Sequence, residues 1–96
     1  MDNKKFENRA WIENDNVFEL HFVQFYDEEV ILKFSRDKED EEIFWYVSDL
    51  LKVENYCINA DSIDEAKEIF EKMIIEHIQD EISYYEEMLE KFKETR

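Results

Sequence analysis

The C-terminal third of the sequence repeats apolar residues with a period that fits an amphipathic helix. They recur every three or four positions, together with one histidine, at Ala66, Ile69, Phe70, Met73, Ile74, His77, Ile78, Ile82, Tyr85, Met88, Leu89 and Phe92. This spacing places side chains along one face of an α-helix. The pattern begins after "SIDE", Ser62 to Glu65, a capping box in which Ser62 caps the first amides and Glu65 reaches back to the Ser62 amide. A helical region is therefore predicted over residues 62–94.

A helix of this length is long for a chain of 96 residues. About 30 residues extend ~45 Å at ~1.5 Å per residue, whereas strands of a small sheet extend ~20 Å. Three arrangements stay open for its second half. The helix breaks near Gln79–Ser83, or "SYYEEMLEKF" turns back as a separate helix, or the segment pairs with itself in a second subunit.

The preceding residues, 9–60, predict an antiparallel sheet with short connections. The expected strands are Arg9–Glu13, Val17–Tyr26, Val30–Ser35 and Ile43–Ser48, joined by turns at Asn14–Asn16 and Asp27–Glu29 and by a charged loop at Arg36–Glu42. The segment Asp49–Ala60 fits either a helical turn with a short strand at Tyr56–Ile58 or a packed loop. The fold class is thus α+β, one domain over residues 1–96, with three or four strands and frayed residues 1–8.

The strands of this sheet are apolar on both faces. One face is predicted to carry Phe18, Leu20, Phe22, Val30, Leu32, Phe34, Phe44 and Tyr46, and the other Trp11, Val23, Phe25, Ile31, Trp45 and Val47. A single helical layer covers one face, so the second is expected to form an interface. Alternatively, a bulge in the long strand or the segment Asp49–Ala60 buries part of it.

The composition excludes several kinds of catalytic site. The chain has no Gly and no Pro, which excludes Gly-rich phosphate loops, nucleophile elbows and the Gly-bearing calcium loop, and leaves its turns to Asn and Asp. Two separated histidines, His21 and His77, and one cysteine, Cys57, do not form a metal-ligand pattern. His77 and Cys57 are expected to be core residues. No enzyme activity, metal or cofactor is predicted.

The net charge of −15 selects the kind of partner. Five of the six residues Asp37–Glu42 are acidic, and between Asp61 and Glu90 eleven acids face only Lys67 and Lys72. Such a chain repels nucleic acid and anionic lipid, because phosphate contacts require Lys or Arg. A basic protein is the electrostatic complement, and simple solubility is the alternative explanation. With no secretory signal and no apolar span, a cytoplasmic location in a bacterial host is expected.

In size, acidity and layout the chain resembles the phage-encoded DNA-mimic inhibitors, which include anti-CRISPR, anti-restriction and uracil-DNA glycosylase inhibitor proteins. It lacks the Gly and Pro content and the strand pattern of the glycosylase inhibitors. The resemblance implies an inhibitor, with a Cas nuclease as the first target, in which carboxylates replace phosphates. The residues assigned to the partner surface are Asp37, Glu39, Asp40, Glu41, Glu42, Glu65, Glu68, Glu76 and Asp80, with Trp45, Tyr46, Tyr84 and Tyr85 as aromatic anchors.

Two other functions fit the same sequence. One is an interaction module without mimicry, a homodimer formed through the C-terminal helix or the open sheet face. The other is an immunity protein that neutralises a basic nuclease toxin.

Overall fold

The computed structural model describes residues 9–24 and 27–94, so the predicted fraying of residues 1–8 and the face assigned to Phe25 lie outside the described residues. The elements are β1 (Arg9–Asn14), β2 (Val17–Gln24), β3 (Asp27–Arg36), β4 (Ile43–Ser48), β5 (Val53–Asn59) and α1 (Ile63–Glu94). The predicted α+β class is confirmed, with five strands in place of three or four. Two compact units divide after Ala66: the first holds the sheet and the start of α1, and the second holds the rest of α1.

The sheet is an antiparallel meander in which the strands lie in chain order. The β1–β2 turn places Asp15 and Asn16 at φ values of 59° and 71°. Both residues tolerate the left-handed region because their short polar side chains can hydrogen-bond to the local backbone. The β4–β5 turn places Lys52 at φ 61°. In this chain without glycine, a lysine therefore also occupies a left-handed turn position, which the sequence did not predict.

The β2–β3 ladder contains a bulge that changes which residues share a face. Leu20 pairs with Leu32, but His21 pairs with Val30, so Ile31 is the additional residue on β3. Since paired residues lie on the same face, Val30 joins His21 and not Leu32. The prediction that Val30 lies on the buried face was wrong for this reason. The hairpin turn predicted at Asp27–Glu29 was also wrong, because these residues are the first three of β3.

One face of the sheet, called the core face, is packed with aromatic rings. Its buried side chains are Phe18, Leu20, Leu32, Phe34, Phe44 and Tyr46, as predicted. Phe34 lies at the centre: it stacks on Phe18 at 5.0 Å between ring centroids and meets Phe44 edge-on at 5.8 Å. Trp11 pairs with Leu20 and contacts the Phe34 ring at 5.4 Å. Trp11 therefore lies on the core face, and its predicted place on the opposite face was wrong by one step of register.

The ambiguous segment Asp49–Ala60 forms a turn at residues 49–52 followed by β5, which is longer than the strand proposed at Tyr56–Ile58. A second register shift, between Tyr46 and Ser48, precedes the turn. The Ser48 side chain is buried and satisfied there: its hydroxyl donates to the Ile31 carbonyl at 2.7 Å and accepts from the Leu51 amide at 3.0 Å. Ser48 thus ties the bulge of β3 to the turn that starts β5.

The helix α1 is continuous over 32 residues and does not break near Gln79–Ser83. Its capping box forms with one difference: Ser62 Oγ accepts from the Glu65 amide at 3.1 Å, but the Glu65 carboxylate accepts from the Asp61 amide and not from that of Ser62. Residues 78–94 are all exposed. Within residues 9–24 and 27–94, no helix has the length and apolar character needed to cross a membrane.

Candidate functional site: the acidic loop and the outer face of the sheet

The loop between β3 and β4, Asp37 to Glu42 and called the acidic loop, has a defined internal structure. Asp37 Oδ2 accepts from the amides of Glu39 and Asp40 at 2.9 and 3.0 Å. Asp40 Oδ1 accepts from the Glu42 amide at 3.0 Å, and the Asp40 carbonyl accepts from the Ile43 amide at 3.2 Å. The three side-chain bonds form Asx-type turns, in which a short acidic side chain replaces a backbone acceptor. The loop is therefore fixed by its own acids.

This arrangement divides the five predicted loop acids into two groups. Asp37 and Asp40 use carboxylate oxygens inside the loop, whereas Glu39, Glu41 and Glu42 are exposed. The hydrogen bond from the Trp45 indole, followed by those from the Glu39 and Asp40 amides, holds the pKa of Asp37 below its ordinary value. Three glutamates are thus presented outward from a loop that two aspartates organise.

The acidic loop continues into the face of the sheet opposite the core face, here called the outer face. Trp45 lies on this face at 38% exposure, and its indole Nε1–H donates to Asp37 Oδ1 at 2.8 Å. Beside it is an open depression of about 220 Å³, which is lined by Val17, Lys33, Phe34, Ser35, Trp45, Tyr46, Val47, Glu54 and Asn55. A half-exposed tryptophan whose orientation is fixed by a hydrogen bond is well suited to anchor a protein partner.

The outer face also carries an ion cluster on β2 and β3. His21 Nε2 lies 2.9 Å from Glu19 Oε1, and His21 Nδ1 lies 2.8 Å from Glu28 Oε2. Carboxylates only accept hydrogen bonds, so both contacts form together when both ring nitrogens are protonated. The hydrogen bond with Glu19 is the largest cause of the raised pKa of His21; Glu28 acts in the same direction and partial burial opposes them. The two carboxylates thus favour the protonated, imidazolium form of His21. The three side chains together carry a net negative charge.

Some residues predicted for the partner surface have other roles. Tyr46 is buried on the core face at 5% exposure, and burial raises the pKa of its hydroxyl, so it is a core residue and not an exposed anchor. Glu65 belongs to the helix cap. On the second unit the predicted residues are exposed: Glu68, Glu76, Asp80, Tyr84 and Tyr85. The adjacent rings of Tyr84 and Tyr85 meet edge-on at 5.3 Å.

The His21 cluster and the depression beside Trp45 were not predicted from the sequence. Glu19 and His21 are two positions apart on β2, so their side chains lie on the same face of the strand. This spacing is visible in the sequence and indicates that the two side chains are close together. The contact between Glu28 and His21 could not be predicted, because residues 27–29 were interpreted as a turn. The pairing of Glu28 with β2 also depends on the bulge at Ile31.

The predicted structural residues His77 and Cys57 are both only partly buried. His77 Nε2 lies 3.7 Å from Glu81 Oε2, one helical turn away. Cys57 pairs across the strands with Trp45. Among the described residues, no three His, Cys, Asp or Glu side chains are placed to hold a metal ion.

No family model matches the sequence, no curated protein matches it, and no solved structure matches the fold. The features that indicate a function are therefore the residues of the acidic loop, the outer face and the helix.

Proposed function

We propose that this protein is an inhibitor that binds the basic nucleic-acid site of a nucleic-acid-processing enzyme. The observation that supports the proposal best is the structure of the acidic loop: Asp37 fixes the loop and Trp45 at once, so that three outward glutamates lie beside an exposed ring. A flexible acidic tail would have to lose conformational freedom on binding, whereas this loop is ordered in advance.

The charge and the aromatic ring have different roles in this proposal. A net charge of −15 attracts a basic surface at long range and raises the association rate. Glu39, Glu41 and Glu42 then pair with Arg or Lys in place of phosphates. Trp45 and the adjacent depression supply the desolvated contact that slows dissociation. Binding is thus expected to weaken with salt, but to retain a component that depends on Trp45.

Within this class, a Cas nuclease is the first target to test. Such an enzyme holds its guide–target duplex in a positively charged channel and reads the PAM with arginine side chains. An inhibitor of this kind competes with the target DNA and does not bind the DNA itself. Its expected behaviour is loss of DNA binding by the nuclease when the inhibitor is added first.

The test compares two triple variants that remove the same charge. Glu39→Gln, Glu41→Gln and Glu42→Gln neutralise the outward acids of the loop. Glu13→Gln, Glu29→Gln and Asp61→Asn neutralise three exposed acids elsewhere in the same unit. Immobilised wild-type and variant chains are presented to a panel of purified guide-loaded Cas nucleases and restriction endonucleases, at low and at high salt.

The proposal predicts capture of a basic enzyme by the wild-type chain, displacement of that enzyme by its own DNA, and at least ~10-fold weaker capture by the loop variant alone. Equal weakening by both variants would show that overall charge acts without a site. If the panel is not captured, or if capture is insensitive to DNA and salt, the inhibitor proposal is wrong.

A further inference from the structure

The second half of α1 carries an apolar stripe that is distinct from its buried residues. The buried side chains of the helix, Ala66, Phe70 and Ile74, repeat every four residues. From Ile75 onward a second set follows with spacings of three, four, three, four and three: Ile75, Ile78, Ile82, Tyr85, Leu89 and Phe92. These are consecutive a and d positions of a heptad repeat. All six are exposed, from 40% at Ile78 to 77% at Phe92.

We infer that this stripe is the contact surface of a homodimer, in which α1 of one chain pairs with α1 of a second copy as a short antiparallel coiled coil. This inference does not depend on the proposed inhibitor function. The occupant is a second copy because the stripe is complementary to itself in side-chain size in one alignment, and because that alignment keeps the flanking carboxylates of the two copies apart.

The order of the six residues along the stripe matches large side chains with smaller ones. In the antiparallel alignment Ile75 meets Phe92, Ile78 meets Leu89, and Ile82 meets Tyr85 of the second copy. Each pair is then repeated by symmetry, so six layers form without a gap or an unmatched residue. The two largest rings each face an isoleucine. A parallel alignment would instead place Tyr85 on Tyr85 and Phe92 on Phe92, with thin layers between them.

The charges beside the seam favour the same orientation. In a parallel pair, Glu81 at a g position would face Glu86 at the e position of the second copy, twice in every dimer. In the antiparallel pair, Glu81 lies beside Met88 and Glu86 lies beside Gln79. The antiparallel alignment has a like-charge contact of its own, between Lys72 and Lys93, but this contact lies at the ends of the seam and is offset by Glu68 and Glu76, which flank Lys72 on its own helix.

The helix dipoles also favour the antiparallel alignment, because the two helices of the seam then point in opposite directions. The acidic first turn of α1, with Asp64 and Glu65, lies outside the paired segment and takes no part in this choice.

The exposed area is of the size that a weak dimer needs. Six side chains that are about half exposed present on the order of 600 Å² on each helix, against ~800 Å² per partner in a standard interface. The seam is only two and a half heptads long, and both chains carry a charge of −15. A dissociation constant of ~1–100 μM is therefore expected, and salt should tighten the dimer by screening the repulsion.

The adjacent tyrosines of the helix give a matched pair of variants. Tyr85 lies in the stripe at 55% exposure, and Tyr84 lies outside it at 61% exposure. Tyr85→Lys and Tyr84→Lys make the same chemical change on neighbouring positions of one helix. Tyr85→Lys buries two unpaired charges in each dimer, so its dissociation constant should rise ~100-fold or more, while Tyr84→Lys should change it less than ~5-fold.

Sedimentation equilibrium of the full chain, across ~1 μM to ~1 mM at low and high salt, measures both constants. Circular dichroism checks that each variant retains its helix. A wild-type chain that stays monomeric throughout overturns the inference. A dimer that loses affinity equally in both variants, or in neither, also overturns it, since the stripe would not be the contact.

The orientation is tested by disulfide formation in a Cys57→Ala background. A chain with Ile75→Cys is mixed with a chain that has Phe92→Cys. The antiparallel dimer predicts a disulfide between the two variants and none within either alone, because like positions would be ~25 Å apart. Disulfides within the Ile75→Cys variant alone, or the absence of any cross-link from a dimer, would overturn the antiparallel alignment.

Discussion

The indole Nε1–H of Trp45 donates a 2.8 Å hydrogen bond to Oδ1 of Asp37, while Oδ2 of the same carboxylate accepts from two loop amides. One side chain thus connects the acidic loop to the outer face of the sheet. The consequence is that the orientation of Trp45 and the shape of the loop depend on each other. This coupling can be tested without knowledge of any partner.

Asp37→Asn should loosen the loop. Asparagine has one acceptor oxygen in place of two, so it cannot serve both the Trp45 indole and the amides of Glu39 and Asp40. A lower urea midpoint of unfolding and faster exchange of the loop amides are expected. The control is Glu39→Gln, which removes the same charge from an exposed side chain. If both variants exchange their loop amides at the wild-type rate, the Asp37 contacts do not organise the loop.

The same carboxylate predicts a response to acid. Its pKa lies below the ordinary value, so its contribution to stability is complete above about pH 4 and is lost as pH falls through the lowered pKa. In the Asp37→Asn variant this part of the acid dependence should be absent. Urea unfolding of both chains between about pH 2 and pH 5 measures it. Parallel curves for the two chains would contradict the assignment.

The His21 cluster predicts a change in stability of the opposite sign. Glu19, with Glu28, raises the pKa of His21 above its ordinary value of ~6.5. The stabilisation is therefore complete below about pH 6.5 and is lost as pH rises through the raised pKa. His21→Gln should be less stable than the wild-type chain at about pH 5.5, and the difference should shrink at about pH 9.

NMR titration of the His21 ring gives a direct reading of this pKa. The two carboxylates that raise it lie 2.8 and 2.9 Å from the ring nitrogens. A His21 pKa at or below its ordinary value would contradict the cluster. So would a stability difference that does not depend on pH.

The predictions from the sequence succeeded where a local pattern decides the structure. The capping box at Ser62 and the three-four spacing after it require only contacts between near neighbours. For the same reason the strand Ile43–Ser48 and its buried Phe44 and Tyr46 were predicted correctly. The alternation of buried and exposed residues in a strand and the capping of a helix each depend on a few consecutive residues. Both are present in the structure where they were predicted.

The predictions failed where pairing between strands decides the structure. The extra residue Ile31 has no local signature, yet it moves Val30 to the outer face and brings Glu28 to His21. Trp11 was misplaced because its face depends on pairing with Leu20 and not on its own segment. Tyr46 was assigned both to the buried face and to the aromatic anchors, and at 5% exposure it belongs to the buried face. For the candidate site, the sequence identified the acidic loop and Trp45 but not the hydrogen bonds that connect them.

The buried hydroxyl of Ser48 should be costly to remove. Ser48→Ala leaves the Ile31 carbonyl and the Leu51 amide without this partner at two irregular points of the sheet. Loss of a buried hydrogen-bonding group costs ~1–3 kcal/mol in the free energy of unfolding. Ser35→Ala, on the neighbouring strand β3, is the control and should change stability by less than ~0.5 kcal/mol. Urea denaturation of both variants measures the difference, and equal values would show that Ser48 does not tie the bulge to the turn.

The aromatic core predicts a sharp contrast between two phenylalanines. Phe34 is 1% exposed and contacts the rings of Phe18, Phe44 and Trp11, whereas Phe92 is 77% exposed. Phe34→Ala should lower the free energy of unfolding by ~3–5 kcal/mol, because it removes buried area and leaves a cavity. Phe92→Ala should change the free energy of unfolding of the monomer by less than ~0.5 kcal/mol.

A domain of this size has a total stability of only ~5–15 kcal/mol, so Phe34→Ala could fail to fold. Phe34→Leu keeps most of the volume and provides a measurable second variant with a smaller loss. Urea denaturation at a protein concentration well below the measured dissociation constant keeps the chain monomeric, which separates folding from association. A loss for Phe92→Ala at this concentration as large as that for Phe34→Leu would mean that the Phe92 ring is part of the folded core, and both its assigned exposure and its role in the helix seam would be wrong.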